Sequence, residues 1–366
     1  MVKASKMTSK IIKKIKNKTL KNKRKSYIHV EKKDHDKHDT HKHHKSHKQE
    51  KHIENYELDE KFTVDNCAPK KTHKNSFTCY NDSSLLKIVN AWNKRHSDEK
   101  IEKWDDMRDL WDKLRGKIAR VEGCYRESCW LNKLFAENKL SDELRNFTFS
   151  PKHPKKWLKN KNEWLTSVDI MEVMQQYEKA YPSFDFIGPS PIDYNHEIYK
   201  DDCVNNELCN FSLKDFIQKP PQKNKLGVVF NLDPHNKGGS HWVAVFYDVK
   251  KKIIFYFDSN GTKIPANIKK FIVMIQEQAN EICEEPSESE SELHSKFCNS
   301  SSKKNVVRFD QNHPKEHQKE NTECGVYVLY FLISILTGEK DFDYFKTKTI
   351  PDIEMEKLRS VLFNKP

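Results

Sequence analysis

The residues of this chain that could do chemistry lie in three short stretches of its second half. Cys324-Gly325 follows Gln318-Lys319-Glu320-Asn321-Thr322-Glu323 and leads into an apolar run from Val326 to Leu336. His241-Trp242 opens one strand-like stretch, and Asp258 closes the next. A thiol, an imidazole, a carboxylate and an amide, in the chain order His, Asp, Gln, Cys, can form a cysteine-nucleophile site for acyl transfer. The thiolate is the attacking species, so an ordinary cysteine, with a pKa of about 8.5, must be activated. Two devices are available. A helix beginning at Cys324 turns the positive end of its dipole toward the sulfur, and His241 can hold the proton. Asp258 can then fix the tautomer and orientation of the ring. Attack creates an oxyanion, for which the backbone N–H of Cys324 and the side-chain amide of Gln318 are candidate donors.

The elements that must position these groups are legible around them. Leu226 to Leu232, His241 to Val249 and Lys252 to Asp258 read as strands with apolar residues on both faces, as in the middle of a covered sheet. If the last two pair as a hairpin turning at Asp248 to Lys252, His241 and Asp258 come to the same edge of the sheet. Thr166 and Asp169 fit a capping box, with Ile170, Val173, Met174 and Tyr177 on one helical face. Ile268, Phe271, Ile272 and Ile275 mark a further helix. Gly238-Gly239-Ser240 gives a flexible approach to His241 through which a substrate backbone could come close. Upstream, two amphipathic patterns end before Pro151-Lys152-His153-Pro154: Leu85, Leu86, Ile88, Val89 and Trp92, then Ile101, Trp104, Met107, Trp111, Leu114 and Ile118.

Plainer roles compete for the same residues. A Cys-Gly before a helix is commonly a buried structural cysteine. Gln311 carries the same amide as Gln318, although its spacing from Cys324 is less favourable; His313 and His317, beside Pro314 and flanking charges, read as solvated loop residues. Asp258 could instead cap a turn with Ser259-Asn260-Gly261, and Trp164 and Trp242 could be core aromatics.

Composition bounds the rest. The chain has 366 residues and a formal net charge of +12. Residues 1–75 hold 22 Lys/Arg against 10 Asp/Glu, and the remainder is balanced, so the charge belongs to a tail rather than to a basic groove on the folded body. Nine of the 17 histidines lie in that tail, most of them between His35 and His47. It has too few apolar residues to offset ordering entropy and reads as disordered. A solubilising extension, a phosphate-binding arm for nucleic acid, a localisation signal in Lys21-Asn22-Lys23-Arg24-Lys25 and a weak metal-binding His tract all fit it.

Nine cysteines without CxxC pairs favour free thiols in a reducing compartment. Cys124/Cys129 and Cys203/Cys209 lack histidines at zinc-like spacing, so no metal and no cofactor is expected. The lysine-studded N-terminus is no signal peptide, and the longest apolar run is too short to cross a bilayer. A soluble, intracellular protein, or one packaged from an intracellular site, is expected. Glu284 to Lys304 reads as a solvated surface excursion without catalytic consequence.

His-Trp at a strand start, Asp at the end of the next strand and Gln-x5-Cys-Gly running into an apolar helix resemble the Ulp/SENP deSUMOylase and adenovirus protease superfamily. Within it, the chain is most similar to the large-DNA-virus branch: the African swine fever virus polyprotein protease and the thiol proteases of giant viruses. The resemblance covers the chain from about Trp164 onward, and the helical region before it resembles the extra N-terminal arm of that branch. It implies an α+β fold with a papain-like/adenovirus-protease-like core and a mixed central sheet. It also implies that His241, Asp258 and Cys324 act as base, orienter and nucleophile, with Gln318 in the oxyanion hole. Trp242 is then expected to help form a narrow channel admitting Gly-Gly-type residues. Trp164-Leu165 stands for the start of the family's Trp-Leu-Asn-Asp wall, although this chain continues Thr166-Ser167; Trp130-Leu131-Asn132 is a literal rival further upstream.

The expected organisation is a disordered basic tail (1–75), a helical arm (76–160) and a cysteine protease domain (161–366). The expected function is cleavage of viral structural precursors during virion maturation, in the virion or the host-cytoplasmic viral factory, with no membrane partner. Removal of a ubiquitin-like modifier and a non-enzymatic, nucleic-acid-binding scaffold remain as alternatives.

Overall fold

In the computed structural model, residues 61–70, 76–134, 144, 146–200, 202–218, 220–284, 298 and 306–365 are described. Most of the basic tail and of the Ser/Glu-rich excursion therefore lies outside the described residues. The described residues divide into two compact units, one built from residues before Ser150, the other from Ser150 onward together with Pro69 and Lys70.

The first unit packs α1 (Asp82–Arg95), α2 (Met107–Glu122) and α3 (Glu127–Leu134) around Leu85, Ile88, Trp92, Leu110, Leu114, Ile118 and Trp130. The caps set the helix ends. The Asn81 and Asp106 side chains accept the backbone N–H of Ser84 and Asp109, and Gly123 closes α2 at φ 66°. Ile101 and Trp104 thus precede α2 rather than belonging to it. Residues 61–68, counted with the tail on composition, are packed here. Thr63 N–H donates to Tyr125 O at 2.8 Å, Ala68 N–H to Thr148 O at 3.0 Å, and Cys67 is bonded to Cys79. Charge density along a window does not register three such anchors, so the packed part begins well before residue 76.

The second unit is built on a five-stranded mixed sheet, ordered β1 (Phe184–Pro191), β4 (Lys225–Asn231), β5 (Trp242–Asp248), β6 (Ile253–Phe257), β7 (Arg308–Gln311). The three inner strands are antiparallel neighbours, and each edge strand joins in parallel. Between β1 and β4 lie a two-stranded ribbon, β2 (Glu197–Tyr199) with β3 (Asp202–Cys203), and two short helices, α5 (Asn206–Cys209) and α6 (Leu213–Gln218).

Strand alternation divides the core into two layers. Trp242, Ala244, Phe246, Phe255 and Phe257 face α4 (Ser167–Ala180), α8 (Cys324–Thr337), α9 (Phe342–Thr347) and α10 (Asp352–Leu362). Val243, Val245, Tyr247, Ile254 and Tyr256 face α7 (Ala266–Glu284). Both faces are covered, which is why these strands read as continuous apolar runs. α8 is buried almost all round, as its composition requires. α4 starts on the expected capping box: Thr166 accepts from Asp169 N–H, and the Asp169 carboxylate accepts from Thr166 N–H at 2.7 Å. The β5–β6 turn is held by Asp248, whose carboxylate accepts Lys251 N–H at 3.0 Å. That side-chain bond replaces an Asn-Gly turn.

The free-thiol expectation is overturned. Disulfides join Cys67–Cys79, Cys124–Cys129, Cys203–Cys209 and Cys283–Cys298, with Cα atoms 5.1 to 6.4 Å apart, and Cys324 alone is free. The partners are 5 to 15 residues apart in sequence. What brings them into range is local turn and helix geometry, which spacing rules for metal or redox motifs do not test. Cys298 is thereby bonded to Cys283 on α7. Among the described residues, no helix is long and apolar enough to cross a membrane.

Candidate active site

His241 immediately precedes β5 and Asp258 immediately follows β6, and the antiparallel pairing of Ala244 with Phe257 brings them to one end of the sheet. The His241 Nε2 atom lies 2.7 Å from Asp258 Oδ1. Asp258 is fully buried, and its charge is met from several sides. Oδ1 also accepts Asn260 N–H at 2.8 Å, and Oδ2 accepts the Thr262 hydroxyl. Its backbone is clamped by Asn312, which accepts Asp258 N–H at 2.9 Å and donates to Asp258 O at 2.7 Å. Asp258 thus pairs with His241 and at the same time shapes the turn through Asn260.

Burial by itself lowers the imidazole pKa, but the hydrogen bonds to Asp258 and to Cys324 outweigh it and raise it to about 9. Burial works against the Asp258 carboxylate, yet the His241 bond and charge hold its pKa below the ordinary value. Nε2 is committed to Asp258, leaving Nδ1 as the ring nitrogen for Cys324.

Cys324 is the first residue of α8 and is buried. Gly325 beside it has no space for a side chain, because a Cβ there would stand 2.8 Å from Leu165 Cβ. Leu165 is held by Trp242, whose indole N–H donates to Leu165 O at 2.9 Å. Trp242 is 8% exposed and belongs to the core, whereas Trp164, next to Leu165, is 40% exposed. The Trp164-Leu165 segment and Trp242 therefore meet beside the cysteine. Trp130 and Leu131, the rival motif, are fully buried in the first unit's core.

Gln318 is buried, with both ends of its amide fixed. Its Oε1 accepts the Ser259 hydroxyl at 2.7 Å, and Nε2 donates to Glu320 O at 2.6 Å, leaving a second N–H. Ser259 O accepts both His317 N–H and Gln318 N–H, at 2.8 and 3.0 Å. In the sequence Ser259 reads as turn chemistry, because a serine follows an aspartate there. Its adjacency to Asp258 was the available signal. The rivals of Gln318 are otherwise engaged: Gln311 Oε1 accepts Ile264 N–H at 3.1 Å, and His313 Nδ1 lies 2.7 Å from Gly261 O. His317 is a correction. It is fully buried among Phe257, Tyr327 and Phe345, and burial drives its pKa down to about 4, so it is neutral. Pro314 and its flanking charges indicate a turn but not which side chains it turns inward.

The approach to His241 is built rather than loose. The Asn231 side chain accepts Asp233 N–H and Ser240 N–H at 2.9 and 3.1 Å, and Gly239, at φ 93°, packs against the same amide. No cluster suited to a metal ion occurs among the described residues.

Residues 221–364 match the Ulp1 protease family, C-terminal catalytic domain. The chain carries a Ulp1-family catalytic domain and is a cysteine peptidase. The peptidase is 27% identical to a thiol protease of Acanthamoeba polyphaga mimivirus over 325 residues, covering 82% of this chain and 94% of the relative. It is also 27% identical over 256 residues to a protein of African swine fever virus named SUMO-1 cysteine protease, covering 66% of this chain and 83% of that one. In fold it is similar to the crystal structure of the African swine fever virus protease, with a TM-score of 0.55 and 22% identity, covering 84% of this chain and 99% of the other. The mixed central sheet that the family resemblance implied is thus the sheet of this peptidase.

Proposed function

We propose that the peptidase is an endopeptidase that cuts viral structural precursor proteins after small, Gly-Gly-type residues during virion maturation. The observation that carries its peptidase chemistry is the 2.7 Å pairing of His241 Nε2 with Asp258 Oδ1, on a ring whose pKa the neighbouring Cys324 helps to raise. Cys324 Sγ attacks the scissile carbonyl carbon while His241 holds the thiol proton. The tetrahedral oxyanion is received by the Cys324 N–H and by the free N–H of Gln318. His241 then gives its proton to the leaving amine as the C–N bond breaks. Water, deprotonated by the same ring, releases the acyl group from sulfur.

Trp242 and Trp164 are the proposed channel walls. A cysteine flanked by a glycine with no room for Cβ, by Leu165 and by a half-exposed tryptophan favours substrate residues with little or no side chain. The relatives that match over most of this chain come from viruses, which supports a role in the virion or the viral factory. The basic tail is proposed to bind nucleic acid through phosphate charge.

A second reading, removal of a ubiquitin-like modifier from lysine, is favoured by the name SUMO-1 cysteine protease of the African swine fever virus relative. The same triad would serve both. The deciding experiment incubates the full chain in parallel with virion precursor proteins and with modifier-conjugated protein. Cleavage of precursors after small residues, with conjugates left intact, is expected. Release of the modifier with precursors intact would establish the second reading.

A further inference from the structure

The loop that carries Gln318 to Cys324 is gripped at both ends by one helix, α10, at the far end of the chain. At its start, the Asp352 carboxylate accepts two successive backbone amides: Lys319 N–H at 2.9 Å and Glu320 N–H at 3.1 Å, both on Oδ2. The other oxygen, Oδ1, lies 3.0 Å from the Tyr327 hydroxyl on α8. Two helical turns further on, Arg359 forms a buried fork with Glu323, the residue before the nucleophile: Nε to Oε2 at 2.7 Å and Nη2 to Oε1 at 2.9 Å. The same guanidinium donates to Thr322 O at 3.2 Å and to Glu163 O at 2.7 Å, and it stacks over the Trp157 ring at 4.5 Å. Asp352 and Arg359, seven positions apart, share one face of α10.

We propose that α10 is a clamp that preorganises the oxyanion loop, with Arg359 and Asp352 as positioning residues for the reaction. The proposal rests on the roles given above to Gln318 and Cys324. Its logic is geometric. Gln318 Nε2 is braced against Glu320 O, and Glu320 is in turn pinned by Asp352. The Cys324 amide follows Glu323, which Arg359 fixes through both carboxylate oxygens. Both oxyanion donors are therefore one residue or one hydrogen bond from a group held by α10. Arg359 also reaches Glu163 O, just before the Trp164-Leu165 wall, so the nucleophile loop and that wall share one anchor. A bidentate guanidinium–carboxylate pair fixes orientation in a way a lysine cannot. The pair also offsets a buried negative charge next to the reacting sulfur.

The test uses the full-length chain with Arg359→Met, Arg359→Lys, Asp352→Ala and the double variant Glu323→Gln/Arg359→Met, which leaves no unpaired buried charge. Lys357→Ala, on the exposed side of α10, is the control. Two readouts are taken: kcat and KM on a Gly-Gly-X peptide, and the rate and extent of Cys324 alkylation by iodoacetamide. Alkylation forms no oxyanion, so it counts intact thiolate sites without using the clamp. Per alkylatable Cys324, the Arg359→Met and Asp352→Ala variants should lose about 10- to 100-fold in kcat. Arg359→Lys should recover part of that loss, and KM should change by no more than about twofold. If a single variant does not fold, the double variant decides by the same criterion. Values of kcat per alkylatable thiol within about twofold of the parent would overturn the clamp. If the parent chain itself neither cleaves the peptide nor loses labelling on Cys324→Ala, the protease reading fails instead, and the clamp with it.

Discussion

His241 and Asp258 belong to adjacent antiparallel strands, and the turn that joins those strands lies at the opposite end of the sheet from both. The register that pairs Ala244 with Phe257 therefore fixes the distance between base and orienter before any side chain is chosen. The free thiol arrives from the other half of the domain, on the first residue of α8. Base and orienter come from the sheet, the nucleophile comes from the helix, and the loop before Cys324 joins them.

Asp258→Asn should lower kcat/KM by about 10²-fold or more while leaving the fold intact. The amide can still hydrogen-bond the ring, but it supplies no charge to hold the imidazolium. Steady-state kinetics beside a thermal melt checks this, and an unchanged kcat/KM would remove Asp258 from the mechanism.

The pH profile follows from the imidazole pKa of about 9. The ring is protonated below that value and can serve as the acid for the leaving amine, so kcat/KM should fall as pH rises through about 9. The folded pKa lies above the ordinary value of about 6.5. The imidazole's contribution to stability is thus fully present below about pH 6.5 and is lost as pH rises through about 9. In Asp258→Asn the alkaline limb should move to lower pH. An alkaline limb that does not move would separate the profile from His241.

Labelling the unreduced, denatured chain with iodoacetamide should modify one cysteine, Cys324, as peptide mapping will show. Mapping that finds Cys203 or Cys283 labelled to the same extent would contradict the disulfide pattern. Mild reduction should expose further thiols and leave the Cys324 labelling rate as it was.

Two glycine substitutions should differ in sign. Gly325→Ala forces a Cβ against Leu165, which Trp242 holds in place, and should cost about 1–3 kcal/mol together with activity. Gly116→Ala, in α2 with nothing within 4 Å of its Cβ, should stabilise the first unit by about 0.5–1 kcal/mol. Thermal melts of both variants test the pair.

Much of the site was legible because its signals are local. A His-Trp at a strand start, an Asp at the next strand end, and a Gln and Cys before an apolar helix each combine a residue type with an element boundary. The capping box of Thr166 and Asp169 and the covered strands were legible for the same reason. What was not legible depends on contacts between distant residues. Arg359 lies far along the chain from Thr322, Glu323 and Glu163, and nothing in its own neighbourhood marks it. Ser259 and Asn312 look like turn residues until their partners are seen. The edge strands were missed as well. β1 contains Gly188, Pro189 and Pro191 and is buried at every third position rather than every second, a pattern open to an edge strand and unlike a central one. The burial of His317 depends on which loops meet, and the four disulfides depend on local turn and helix geometry that residue spacing does not record.

The most direct test is cleavage of a Gly-Gly-X peptide, with thiol-probe labelling, by the full-length chain and by Cys324→Ala and Cys298→Ala. Cys324→Ala should abolish both cleavage and labelling of the folded protein at position 324, and Cys298→Ala, which breaks the bond to Cys283, should leave cleavage and Cys324 labelling intact. Full cleavage by Cys324→Ala would contradict the assignment of the nucleophile, and with it the mechanism built on His241, Asp258 and Gln318.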